Sequence, residues 1–507
     1  MAVVNGDDVV DTSSVAREGA RSLLVMISGN LVIQAVTLVA ALVIPRFLGP
    51  QVYGRWSAVM ALVSFAAVIT QFSLIWVDVR FVGAPWRTGR IDEATKMAST
   101  TWLLRLILGV VIAGVVAAWA YTSPGLEIGI ALATNIFLLA IVRYGFRTHL
   151  SLFMALGLVR HFSLMSLARV ALSLVAVIVG YTLGGFPGIF VALATMQAVL
   201  FLISLFLLRR ALPVRPGLYS WPLLHEHLGY AGWTFVGALC RSALMWLPIY
   251  IVATSVSSIV AAFVGVQVQV LAVLTEMSSS GRNALLPILA QFDAVSHHPR
   301  MRNWGSMIVR YGIAASCLSI VVWALIGREL TRWILSDAYA PAYEGVIWMT
   351  TAHMFAFAGL TCNAILNLRG LAKLAAWNLM CYALLTLGGV FWAVQGSDEG
   401  AAVRVAMAYA AAGGVFALVS YYTLGVFGHC WLSLRRSLLL MAPSLLAWPA
   451  YAWDVSFAWR AVASVGFTVV YVAMAISFNL ISAKEIQKLL NKLWRRGGIE
   501  GDIPAGE

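Results

Sequence analysis

Charge is what this chain has least of. Asp, Glu, Lys and Arg make up 11% of its 507 residues, and only 21 of them are acidic. Ordinary soluble domains carry about a quarter charged residues, so a water-soluble globule is excluded. Cysteine is also scarce. Cys240, Cys317, Cys362, Cys381 and Cys430 lie in or beside apolar runs with no CxxC spacing, which excludes a disulfide framework and a cysteine-built zinc site. No GxxxxGK[ST] occurs, so no nucleotide motor is carried. His225-Glu226-His227 lacks HExxH spacing and reads as a hydrated loop; no metal and no cofactor are expected. Long polar loops are missing too. The longest, 281–305 and 327–343, fall far below the size of an independent domain. Function is therefore expected inside a membrane and not in an external catalytic domain, and the chain is read as a non-enzyme. The start, MAVVNGDDVVDTSS, lacks the basic flank and short apolar core of a cleaved leader.

What is abundant is apolar sequence, at 61% of residues. It comes in runs of about 20 residues, the length of a bilayer-crossing helix. These runs predict an all-α polytopic membrane protein with about fourteen spans. The net charge of +13 sits mostly in short gaps between runs. That is a topogenic pattern, matched to anionic lipid headgroups and not to nucleic acid. With the N-terminus placed in the cytoplasm, about 24 of the 34 basic residues fall inside and about six outside. Arg143 and Arg147 count among the inner ones, while Arg105, Arg169, Arg241 and Arg310 fall within spans. Both termini are expected in the cytoplasm.

Residues 1–22 form a polar N-terminal segment, and 23–208 hold six spans. The segment 209–228, basic and proline-rich, reads as a linker to six further spans in 229–425. Residues 438–482 hold an extra pair of spans. In the tail, 483–507, Ile486, Leu489, Leu490 and Leu493 face away from Lys484, Lys488, Lys492 and Arg495. That pattern suits a membrane surface, or a partner helix.

Why bury guanidiniums? An arginine at the centre of a span costs about 2.5–3.5 kcal/mol unless it faces a polar interior. Helical spacing puts Arg241 on a stripe with Thr234, Gly237 and Pro248, and Arg169 with Ser166, Ser173 and Gly180. Asn30, Gln34 and Thr37 form a matching stripe in the first span, and Arg105 follows Thr101 in the third. Together these predict a cavity lined by cations and amides, with Asp78 and Glu276 neutralised by Arg80 and Arg282. Guanidinium suits phosphate, and amides suit sugar hydroxyls. Each arginine has a second reading: Arg105 and Arg310 snorkelling to the interface, Arg169 and Arg241 bonded between helices. Pro248 frees the carbonyl of Leu244 and reads as a hinge or as a packed kink. His353 reads as a proton relay or an interior hydrogen-bonded histidine.

The stretch PRFLGPQVYGRWSAV, 45–59, joins two spans by a Leu-Gly-Pro turn. It resembles the corresponding stretch of oligosaccharide flippases (the O-antigen and exopolysaccharide exporters) in the multidrug/oligosaccharidyl-lipid/polysaccharide flippase superfamily. The resemblance implies two six-helix lobes in a V around a cationic cavity, with a further helix pair at the C-terminal end. It implies outward movement of an undecaprenyl-pyrophosphate-linked glycan across a bacterial inner membrane. Arg46 matches the motif arginine, placed either to meet the departing headgroup or to anchor the turn. Other polysaccharide-assembly proteins are then expected partners, and H⁺ or Na⁺ a possible coupling ion. A multidrug extruder of the same fold would want an acidic cavity, and a membrane glycan polymerase or ligase would want larger outer loops.

Overall fold

A computed structural model describes residues 12–294, 298–396, 400–432 and 457–477. Within them the chain is helical, with no strand among the described residues. The helices are α1 (Thr12–Gln71), α2 (Leu74–Phe81), α3 (Gly83–Arg87), α4 (Ile91–Thr122), α5 (Ile130–Ala155) and α6 (Val159–Ala211). After a short 3₁₀ turn come α7 (Trp221–Ser255), α8 (Ser258–Ala294), α9 (His298–Ile334), α10 (Ala342–Leu368), α11 (Ala372–Ala393), α12 (Ala401–Val426) and α13 (Phe457–Ser477). Ten of them are long and apolar enough to cross a membrane.

Two of the ten are broken into two arms. α1 breaks at Gly49, whose φ of 70° is left-handed and open to glycine without strain. α6 breaks at Gly184 and Gly185, and its arms close back until Gly188 meets the backbone of Gly180. The sequence puts both breaks between expected spans. The second span, however, ends earlier than the apolar run suggests. Phe72 and Ser73 both take positive φ, which stops α1 and starts the short α2 on a new axis. The expected linker 209–228 is also shorter: α6 continues to Ala211 and α7 begins at Trp221, with Pro222 in its first turn, where a missing N–H is harmless.

α1, α4, α5 and α6 pack together, as do α7 to α12, and α13 lies on α9. The two groups meet where α1 crosses α7 and α8. One core, including Phe146, Phe153 and Leu208, fills the first group near the linker. A second joins α9, α10 and Tyr471 of α13. The largest runs across both groups at the end holding the 45–59 stretch, called here the motif end.

That stretch forms the seam. Gly54 lies so close to the Ser258 carbonyl at the start of α8 that no side chain fits there. Tyr53, 2% exposed, packs edge-on against Tyr339, which in turn meets Phe263. The Tyr339 hydroxyl donates to the Pro45 carbonyl at 3.0 Å. Arg46 Nη1 donates to the carbonyls of Trp333 at 2.8 Å and Ile334 at 3.3 Å, at the far end of α9. The residues that carry the resemblance thus latch the two helix groups together at one end. Arg46→Ala is expected to loosen that end. Spin labels at the exposed Gln51 and Ala338 should report a longer, broader distance distribution, and an unchanged distribution would remove the latch.

The segments 1–11, 433–456 and 478–507 fall outside the described residues. So do half of the polar N-terminal segment, the first of the extra pair of spans and the amphipathic tail.

Candidate functional site

Immediately beside the seam, on the linker side, is a cavity of about 220 Å³. Both arms of α1 line it, with α5, α6, α7 and α8, so both helix groups contribute. Among the described residues its lining holds two guanidiniums, Arg143 and Arg169, and no carboxylate. Hydroxyls and amides complete the polar wall: Thr37, Ser64, Ser173, Gln197 and Gln269.

The arginines are placed by helix register. Arg143 and Arg147 stand one turn apart on the same face of α5. Arg169 and Ser173 stand one turn apart on α6 and present the face seen in the sequence. Arg143 feels the charges of Arg147 and Arg169, and Arg169 that of Arg147, so the three guanidiniums form one cluster. Arg143 Nη2 donates to Ser64 Oγ at 3.2 Å, and its Nε is buried with no partner. Among the described residues Arg147 and Arg169 make no hydrogen bond or ion pair. Three like charges held together without a counter-ion repel one another, and such a cluster is stabilised by water or by an anion between the guanidiniums.

The other sequence candidates are placed differently. Arg105 does not line the cavity. It is 1% exposed, and its Nη1 donates to Asp78 Oδ2 at 2.6 Å. Thr101 and Ser151 donate to the same carboxylate at 2.9 and 2.7 Å. The side chain of Arg80, the expected partner of Asp78, lies outside the described residues. The break at Phe72–Ser73 turns α2 so that Asp78 faces α4 and α5. Arg46 lies on the seam, outside the cavity wall. Gln34 is half-buried, one turn from the lining Thr37 on α1, and the side chain of Asn30 lies outside the described residues.

Arg241 is exposed and stands one turn before Met245, which lines the cavity from α7. Glu276 stands one turn beyond the lining Ala272 on α8, and its charge reaches Arg241. The pair sits on the lining faces where they continue toward the linker, one turn outside the cavity wall. The side chain of Arg282, the expected partner of Glu276, lies outside the described residues.

Pro248 does not break α7, which shows none of the non-helical residues found in α1 and α6. The carbonyl it frees, that of Leu244, accepts the Tyr409 hydroxyl from α12. His353 is buried between Ser278 and Ser316, at 3.1 and 2.9 Å. No cluster of three metal-type ligands occurs among the described residues.

Sequence reasoning missed Arg143 and Arg147. The signal was present, since both lie within an apolar run, 128–148, at the i, i+4 spacing of one helical face. They were counted with the topogenic charges because they sit near its end.

No protein-family model matches the chain, and no curated protein matches it by sequence. Solved structures do. An inward-facing multidrug resistance MATE family transporter of the MOP superfamily aligns with a TM-score of 0.67 at 14% identity, covering 80% of this chain and 99% of its own. The lipid II flippase MurJ in an inward closed conformation aligns at 0.56 and 11% identity, covering 89% and 98%. A MOP superfamily transporter from Pyrococcus furiosus aligns at 0.51 and 15%, covering 82% and 97%. The chain has the fold of the MATE and MurJ transporters. The cavity of this chain lies between its two helix groups, where Arg143 and Arg169 converge.

Proposed function

We propose that the chain is a transporter that flips a lipid-linked oligosaccharide, with a pyrophosphate in its headgroup, from the inner to the outer leaflet of a bacterial cytoplasmic membrane. The observation that carries this reading is the guanidinium cluster in a shared cavity with no carboxylate among the described residues of its wall. Guanidinium forks match phosphate oxygens and keep their charge at any working pH. A cationic drug would meet repulsion at the same place. The likeness to MurJ in fold, and the sequence resemblance of 45–59 to oligosaccharide flippases, support a lipid-linked cargo.

In this reading the pyrophosphate reaches the mouth at Arg241 and moves inward to Arg143, Arg147 and Arg169. The prenyl tail stays among the helices or in the bilayer. The seam at Arg46 and Tyr339 then parts while the linker end closes. With the cell interior negative, each negative charge carried outward gains about 2.3 kcal/mol per 100 mV. The basic residues near the linker end, such as Arg209, Arg210 and Arg215, support a cytoplasmic position for that end.

The test is reconstitution. Proteoliposomes holding a fluorescent prenyl-pyrophosphate glycan are expected to expose it to an added membrane-impermeant quencher faster than protein-free vesicles do. Equal rates, or faster movement of a lipophilic cationic dye in place of the glycan lipid, would overturn the reading.

A further inference from the structure

The cavity wall contains two buried polar atoms that the arginine cluster does not use. Trp56 Nε1 and Gln197 Oε1 have no hydrogen-bond partner. Both side chains line the cavity, and Gln197 is only 4% exposed. One atom donates and the other accepts. Leaving a buried polar group unpaired is unfavourable, so a ligand that supplies both roles is favoured. An anion pairs with the indole, and with the amide only after its NH₂ turns into the cavity. A hydroxyl donates and accepts, and satisfies both.

The wall near them is aromatic. Trp56 lies 5.7 Å from the Tyr53 ring, and Trp246 reaches the cavity from α7. Flat apolar rings beside hydrogen-bonding amides suit a molecule with C–H faces and a hydroxyl edge. Depth separates the indoles from the cations, while Gln197, nine residues past Gly188 on the returning arm of α6, stands level with Ala171 beside the Arg169 turn. Trp56 precedes Ser64, the residue bonded to Arg143, by eight positions on one helical arm, or about 12 Å at the rise of an α-helix. The guanidiniums stand toward the linker and the indoles toward the seam.

We infer that the part of the cavity between the guanidiniums and the seam is a sugar subsite, with Gln197 at its cationic edge and the indoles at its seam edge. It receives the sugar joined to the pyrophosphate, with Trp56 and Trp246 against the ring, Gln197 Oε1 accepting from one hydroxyl and Trp56 Nε1 donating to another. The inference rests on the reading of Arg143 and Arg169 as the pyrophosphate site. It sets the polarity of the cargo: the glycan leads toward the seam, and the pyrophosphate and its lipid follow.

Calorimetry on the full chain in nanodiscs tests this with two probes, farnesyl pyrophosphate and farnesyl pyrophosphate carrying one hexose on its terminal phosphate. The hexose is expected to tighten binding about tenfold, the yield of one to two well-made hydrogen bonds. Trp56→Phe keeps a ring and loses the donor, and Gln197→Met keeps the volume and loses the acceptor. Each should shrink the hexose gain to about twofold while leaving the bare pyrophosphate near its wild-type affinity. Arginine-dependent binding of the bare probe with no hexose gain, or a gain that survives both substitutions, would overturn the subsite and leave the proposed function standing. Binding of neither probe through the arginines would overturn both.

Discussion

With Arg143 and Arg169 both replaced by alanine, affinity for farnesyl pyrophosphate is expected to fall at least about a hundredfold, and flipping of the glycan lipid to reach the protein-free rate. Hydrogen bonds to charged groups contribute about 1.5–3 kcal/mol each, and two lost together pass the 2.7 kcal/mol of a hundredfold change. Lysine at both positions should retain part of the affinity, because the charge survives and the two-pronged geometry does not. The apo protein is expected to respond in the opposite sense. Arg143, Arg147 and Arg169 repel one another across the cavity, so either single alanine variant should unfold at a higher temperature than wild type when no anion is present. A merely structural pair of arginines would show the reverse, with alanine lowering stability and sparing binding. Added pyrophosphate should raise the melting temperature of wild type and not of the double variant.

How much of this was readable beforehand differs from residue to residue. The all-α fold followed from run length alone, because a bilayer leaves the backbone few alternatives. Arg169 was legible because a regular helix carries it: Ser173 and Gly180 share its face, and the α6 arm keeps that register until Gly184. Arg105 was misread for the opposite reason. Its environment is set by Asp78, and the direction of Asp78 is set by two left-handed residues, Phe72 and Ser73, that no periodicity announces. Arg46 was legible as a turn residue. Its acceptors lie at Trp333 and Ile334, almost the length of the chain away, and a contact that distant needs coordinates.

Arg241 shows how register alone can place a residue on the right face at the wrong depth. The sequence grouped it with Arg169 in the lining of the predicted cavity. In the structure it is exposed, within reach of the charge of Glu276, one turn outside the cavity wall. A charge at a mouth acts mainly on capture and on salt dependence. Comparing initial rates at low and high ionic strength separates the two positions: a mouth residue loses its effect in high salt, and a buried ligand keeps it.

Asp78→Ala is expected to be the most damaging single substitution for folding. The carboxylate accepts from Arg105, Thr101 and Ser151, and the side chains of both Asp78 and Arg105 are fully buried. Removing one partner of a buried pair leaves an uncompensated charge and typically costs about 3–5 kcal/mol. Here the remaining guanidinium already has Nε and Nη2 without partners, so no bond is available to offset the loss. Because Asp78 ties α2 to α4 and α5, the variant should lose the monodisperse peak in detergent or melt well below wild type. The double variant Asp78→Ala/Arg105→Leu removes the charge along with its counter-ion, and should recover much of that stability, since a buried pair is often replaceable by apolar packing. If the double variant is stable and still flips the glycan lipid, the pair is a staple of the first helix group. If it is stable and inactive, the carboxylate takes part in the transport cycle, and a proton or sodium ion that competes with Arg105 for Asp78 becomes the first candidate for coupling.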